Sequence, residues 1–206
     1  MTQYVWYASY GSNINRDRFL CYIRGGKPFG STVTEVGCKD PTLPVAEEIF
    51  TIPYPLYFAK SAGRWRSMGV AFIDSEQKSN EVTYSKKYLI TTDQFLDVLK
   101  QENSGIEIDL NLQKVKSEGC YTFRKQAWYG TILYLGEDKG YPIYTFTAPW
   151  NMNEITVNKP SHEYLQTIIT GLKEYHSGEV IYQYFKDKPG ISGIYTDKEL
   201  TELVFS

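Results

Sequence analysis

Cysteine and histidine are scarce: 206 residues hold three Cys and two His. Cys21, Cys38 and Cys120 make no CxxC pair and no even-numbered framework, as expected of a chain kept reduced in the cytoplasm. The N-terminus shows neither a basic nor an apolar signal region, in keeping with that location. His162 and His176 are spaced poorly for two metal ligands on one helix face. No apolar run approaches the length of a membrane-spanning helix. The phosphate-binding patterns GxxxxGK[ST] and GxGxxG are missing. Gly25-Gly26-Lys27-Pro28 is glycine-rich, but Pro28 removes a backbone donor that a phosphate cradle would use. A surplus of one charge is missing too: 22 Lys+Arg against 24 Asp+Glu leave −2. Nucleic-acid partners favour a basic surplus, so neither nucleic acid nor membrane is the expected partner.

What is present is aromatic. There are 18 Tyr, 10 Phe and 4 Trp, and 42% of the chain is hydrophobic, which excludes disorder. The length suits a single domain over residues 1–206, burying about 70% of its unfolded surface. Tyrosine at this level fits a β-rich domain or a polar-lined pocket. No internal repeat occurs.

Gln3–Ala8 (QYVWYA) reads as a strand and Tyr10–Asn13 as a turn. Asn15–Arg24 reads as a helix with Phe19, Leu20 and Ile23 on one face, stopped by Gly25. Residues 25–55 read as a long, partly extended loop. Leu56–Ala59, Gly69–Asp74 and Tyr88–Thr91 read as strands. Thr92 caps a helix from Asp93 to about Asn103. Residues 106–127 carry no clear pattern. Trp128–Leu135 and Tyr141–Thr147 form a hairpin around residues 136–140. Ser161 caps a helix bearing Leu165, Ile168, Ile169 and Leu172, and further helices are expected at 179–187 and 197–204. Strands followed by helices argue an α+β fold with a curved or barrel-like sheet.

Several groups could carry chemistry, each with a plainer reading beside it. Tyr10-Gly11-Ser12-Asn13 lies between a strand and a helix, where free N–H groups favour an anion; it also fits an ordinary capped turn. Glu102 ends the stripe Phe95, Val98, Leu99 at i, i+3, i+4, i+7, where desolvation would make it a better base; it also fits the rim of the core. Trp128, Tyr129, Tyr134, Tyr141 and Tyr144 fit core plus solvent-facing rings. Arg64-Trp65-Arg66 reads as a surface patch. A cysteine nucleophile with His162 or His176 is formally open, although Cys21 reads as buried and inert.

Taken in order, the segments resemble the gamma-glutamylcyclotransferase family. Tyr7-Ala8-Ser9-Tyr10-Gly11-Ser12-Asn13 resembles its N-terminal motif. Phe58, Ser61, Trp65 and Gly69-Val70-Ala71 resemble its F-x-x-S-x-x-W and glycine strand. Asp93 to Glu102-Asn103 resembles its helix ending in the catalytic glutamate. Tyr144 resembles the tyrosine of its late strand. Pro160-Ser161, Tyr164 and Gly171 resemble its last core helix. Asn103–Leu110 (NSGIEIDL) departs from the family by lacking a tyrosine, residues 25–55 are long, and Met68 replaces a glycine.

The resemblance implies a mixed β-barrel with surrounding helices and a site at its mouth. It implies cyclisation of a gamma-glutamyl amide to 5-oxoproline, with no metal or organic cofactor. Glu102 would be the general acid/base, and Tyr7, Tyr10, Gly11, Ser12, Asn13 and Tyr144 would bind the small-molecule substrate. Glu107 and Asp109 would suit a cationic leaving group. A non-catalytic carboxylate-binding protein of the same fold is the alternative.

Overall fold

The computed structural model describes residues 3–28, 31–78 and 80–206. It is an α+β fold in which two layers pack on a central sheet. The sheet uses β1 (Tyr4–Ser9), β2 (Ala46–Ile52), β5 (Thr83–Thr91), β6 (Cys120–Thr122), β7 (Thr131–Asp138) and β8 (Tyr141–Thr147). Its spatial order is β2-β5-β1-β8-β7-β6. All its pairings are antiparallel except β1–β8, which is parallel. A separate hairpin joins β3 (Leu56–Ala62) to β4 (Met68–Ile73). Alternation along β1 splits the core in two. Val5 and Tyr7 face α1 (Arg16–Arg24) and α2 (Thr92–Glu102). Trp6 and Ala8 face the β3–β4 hairpin and the later helices α4 (His162–Leu172), α5 (Gly178–Lys186) and α6 (Asp197–Phe205).

The sheet does not close into the expected barrel, because side chains occupy the free edge of β4. The Ala71 amide donates to the Tyr164 hydroxyl at 3.1 Å, and the Tyr129 hydroxyl donates to the Ala71 carbonyl at 3.2 Å. Thr147 Oγ1 accepts from the Ile73 amide at 3.2 Å and donates to its carbonyl at 2.6 Å. Two tyrosines and a threonine thus satisfy edge groups that another strand would otherwise pair.

Residues 25–55 are less loop-like than their composition suggests; of these, 29 and 30 lie outside the described residues. β2 is a full edge strand on β5. Its acidic pair obscures the strand pattern in the sequence. In the fold, Glu47 meets Lys86 and Glu48 meets Lys87 across the strands, each at 3.2 Å. Those partners also explain why β5 begins at Thr83, five residues before the apolar run starting at Tyr88. The residues before β2 run along α2. There the Gln94 side chain donates to the carbonyls of Asp40 (3.0 Å) and Thr42 (2.8 Å), and the Lys39 amide donates to Asp97 Oδ2 at 2.9 Å.

Other boundaries shift by small amounts. Thr91, not Thr92, caps α2, and it forms a reciprocal capping box with Gln94. The unpatterned stretch contains α3 (Leu112–Glu118), capped by Asn111, and then β6. The hairpin turn is tighter than expected, since β7 runs to Asp138 through an irregularity between Tyr134 and Glu137. No helix among the described residues is long and apolar enough to cross a membrane.

Candidate functional site

A cleft of about 440 Å³ opens between the turn after β1, the end of α2, the β3–β4 connection and residues 124–129. Tyr7, Tyr10, Gly11, Ser12, Asn13 and Glu102 all line it. Local structure explains how Glu102 meets a turn 89 residues earlier in the sequence. Phe95, Val98 and Leu99 are fully buried, which anchors α2 against β1 and points its last turn at the cleft. Each such burial is worth about 1.5–3 kcal/mol. Asn103 then stops the helix. Its side chain donates to the Leu99 carbonyl at 3.0 Å and to the Tyr129 carbonyl at 3.2 Å, fixing Glu102 relative to the opposite wall.

The turn is a short 3-10 segment, Ser12–Ile14, and α1 begins only at Arg16, capped by the Asn15 side chain. The helix-start dipole invoked from sequence therefore belongs to Asn15–Arg18 and not to Gly11–Asn13. The turn itself is held from outside. Gly11 sits so close to α4 that a Cβ there would lie 3.0 Å from the Tyr164 hydroxyl. Gly171 on α4 approaches the turn's exit more tightly still; its Cβ would lie 2.6 Å from the Asn15 nitrogen.

The Asn13 amide joins the two halves of the site. Its Nδ2 donates to the Tyr7 hydroxyl and to Glu102 Oε1, each at 3.3 Å. Its Oδ1 is buried with no partner among the described residues. Burial above all, and next the Glu102 carboxylate, push the Tyr7 hydroxyl above its ordinary range, so it stays a neutral donor. The Tyr164 hydroxyl is pushed up to about 12, again mainly by burial.

Tyr144 is not part of the cleft. It is buried on β8 among Phe95 and Tyr134, and its hydroxyl donates to the Leu112 carbonyl at 3.0 Å. Two residues further along the same strand face, Phe146 reaches the cleft lining instead. Glu107 and Asp109 are also absent from the lining. Glu107 is 90% exposed and pairs with Lys100 outside the cleft.

The lining includes residues that sequence reading set aside. Arg64 and Trp65 were expected on the surface, yet both line the cleft; of that trio only Arg66 is exposed, paired with Glu163 at 2.7 Å. Arg18 and Tyr22 join them from α1. Arg18 Nη1 and Arg64 Nη1 stand 2.9 and 2.8 Å from the same atom, Glu35 Oε1, which the chain before β2 brings in. Arg18 and Glu35 are 3% and 5% exposed. A usable signal existed: Arg18 and Tyr22 are spaced i, i+4, directly beside the buried pair Phe19 and Ile23.

Cys21 and His162 both line a second cavity of about 530 Å³, but burial pushes the Cys21 thiol up, which disfavours a nucleophilic thiolate there. Cys21 is half-buried and not fully buried as expected, and Cys38 is half-buried with its thiol pushed up to about 12, mainly by burial. Neither lines the cleft, nor does Cys120. Among the described residues no group of three or more His, Cys, Asp or Glu side chains could hold a metal ion.

A solved gamma-glutamyl cyclotransferase superposes over 98% of this chain and 99% of its own, with a TM-score of 0.51 at 14% identity. The chain has the gamma-glutamyl cyclotransferase fold. An uncharacterized protein from Homo sapiens matches similarly, over 99% of both chains, with a TM-score of 0.51 and 15% identity. No family model matches the sequence. Among curated proteins, histone deacetylase 5 of Arabidopsis thaliana is 36% identical over 186 residues, covering 82% of this chain. The chain spans only 28% of that protein's length.

Proposed function

We propose that the protein cyclises a gamma-glutamyl amide to 5-oxoproline and releases an amine or amino acid. The observation that carries this reading is the Asn13–Glu102 contact inside a cleft large enough for a dipeptide-sized ligand. The substrate α-carboxylate would lie against the turn Gly11–Asn13. Its ammonium would reach two acceptors, the Glu102 carboxylate and the unpartnered Asn13 Oδ1. Glu102 takes a proton from the ammonium, and the freed amine attacks the γ-carbonyl carbon. Glu102 then returns that proton to the departing nitrogen as the amide C–N bond breaks, and the freed carboxylate takes the second proton from the attacking nitrogen, leaving a neutral lactam. Both reacting groups belong to one molecule, so the protein's task is to orient them and to move protons; positioning of this kind can supply about 7–11 kcal/mol. The residues named need no metal or organic cofactor for these steps.

The cationic leaving group expected from Glu107 and Asp109 has no support in the lining, which holds neither residue. Arg18, Arg64 and Arg124 line the cleft with Glu102, and Glu35 compensates Arg18 and Arg64 from behind, so three guanidiniums against two carboxylates leave a positive balance of one. An acidic departing group fits this balance better than a cationic one. A panel of gamma-glutamyl amides with acidic, neutral and basic leaving groups, assayed for 5-oxoproline, tests both statements. Turnover favouring acidic leaving groups is expected. Binding of the panel without any turnover would instead indicate a carboxylate-binding protein of this fold.

A further inference from the structure

Tyr22 lies on the inner face of α1, fully buried, and lines the cleft. Arg18 Nη2 donates to its hydroxyl oxygen at 2.9 Å, and Arg64 Nη1 donates to the same oxygen at 3.1 Å. A phenolic oxygen has two lone pairs, and two guanidinium donors occupy both. Tyr22 is left with only its own O–H to offer. No acceptor among the described residues takes that proton. The Arg18 guanidinium also lies over the ring, 4.4 Å from its centroid. Glu35 fixes both arginines from behind, with one carboxylate oxygen shared between them. Tyr7 and Tyr164 also line the cleft, but their hydroxyls accept from neutral amides, those of Asn13 and Ala71. Two cationic donors polarise a hydroxyl far more than neutral amides do.

We propose that Tyr22 is a catalytic residue of the cyclisation: its O–H donates to the γ-carbonyl oxygen as negative charge develops there. The inference rests on the reading above. When the amine forms its bond to the γ-carbon, the carbonyl π pair moves onto oxygen. The Tyr22 O–H meets that oxygen, and the guanidiniums behind it offset the new charge. When the C–N bond breaks, the pair returns to the carbonyl, the proton held by Glu102 leaves with the amine, and the ring nitrogen gives its second proton to the freed Glu102 carboxylate. Tyr22 keeps its own proton throughout, consistent with burial and then Glu102 holding that hydroxyl well above its ordinary range. Arg18, Arg64 and Glu35 act through Tyr22 as positioning residues.

The test compares Tyr22→Phe with wild type on a gamma-glutamyl amide that wild type turns over. Loss of an oxyanion donor lowers kcat by about 10²–10³-fold, with KM within about threefold. Unchanged kcat, or a loss confined to KM, overturns the proposal. Fluorinated tyrosine at position 22 keeps the hydroxyl and the packing, so it decides the matter if Tyr22→Phe fails to fold. The proposal expects kcat to change steadily as fluorination makes the ring more acidic, and an invariant kcat overturns it. Wild type without turnover on any panel member removes this proposal together with the reading beneath it. An active wild type with a fully active Tyr22→Phe removes this proposal alone.

Discussion

The Asn13 side-chain amide donates to the Glu102 carboxylate at 3.3 Å, joining the turn after the first strand to the last residue of α2. Its second N–H goes to the Tyr7 hydroxyl. One side chain therefore sets the distance between the proposed carboxylate-binding turn and the proposed base. Asn13→Ala should lower kcat/KM by about 10–100-fold, the scale on which a misplaced catalytic geometry is felt. The companion measurement is thermal unfolding, which should show only the loss of a buried hydrogen-bonded group, about 1–3 kcal/mol.

Glu35 compensates two guanidiniums from a position 5% exposed. Removing one partner of a buried ion cluster leaves uncompensated charge, typically costing about 3–5 kcal/mol. Glu35→Ala should therefore show a large fall in the urea midpoint. A cost below about 1 kcal/mol, the range of exposed pairs, would place this cluster in solvent.

Gly171→Ala adds a Cβ where the Asn15 backbone nitrogen already stands at 2.6 Å. Backbone cannot move aside as a flexible side chain can, so overpacking should cost about 1–3 kcal/mol. The comparison is Gly63→Ala, where the added Cβ meets nothing within 4 Å. Guanidinium or urea unfolding of both variants should separate them clearly. Equal stabilities would mean that α4 does not press on the turn.

How much of this was legible beforehand depends on the kind of signal. Phe95, Val98, Leu99 and Glu102 share one helix face by spacing alone, and the strand-turn-helix run from residue 4 to 24 is local. Those are short-range patterns, and the chain states them directly. Tyr144 was placed at the site by its resemblance to the family's late-strand tyrosine; on this strand the cleft lining takes Phe146, two residues further along. Arg64 looked solvated because its partner, Glu35, is 29 residues away in a stretch that reads as loop. The open sheet was also hidden. Nothing in the sequence reveals that Tyr129, Tyr164 and Thr147 hydroxyls occupy the edge of β4.

The tyrosine excess predicts a pH response. Burial makes many of these hydroxyls weaker acids, with the pKa of Tyr144 and of Tyr164 each pushed up to about 12. Below about pH 10 the folded and unfolded chains hold these protons equally. Between 10 and 12 the unfolded chain releases them first, so the folded chain binds more protons and stability falls as pH rises. The unfolding midpoint should drop steeply above pH 10. Tyrosinate absorbance should rise in two stages, exposed rings first and buried rings only on unfolding. A single stage near pH 10 in folded protein would contradict the burial described here.

The central claim is that Glu102 moves the proton in an intramolecular acyl transfer. Glu102→Gln keeps the side-chain size while removing the base. The measurement is 5-oxoproline released from a gamma-glutamyl amide by wild type and by this variant, both checked for folding. The predicted result is turnover by wild type and a loss of about 10²–10⁴-fold in the variant. A variant retaining the full wild-type rate would contradict the account.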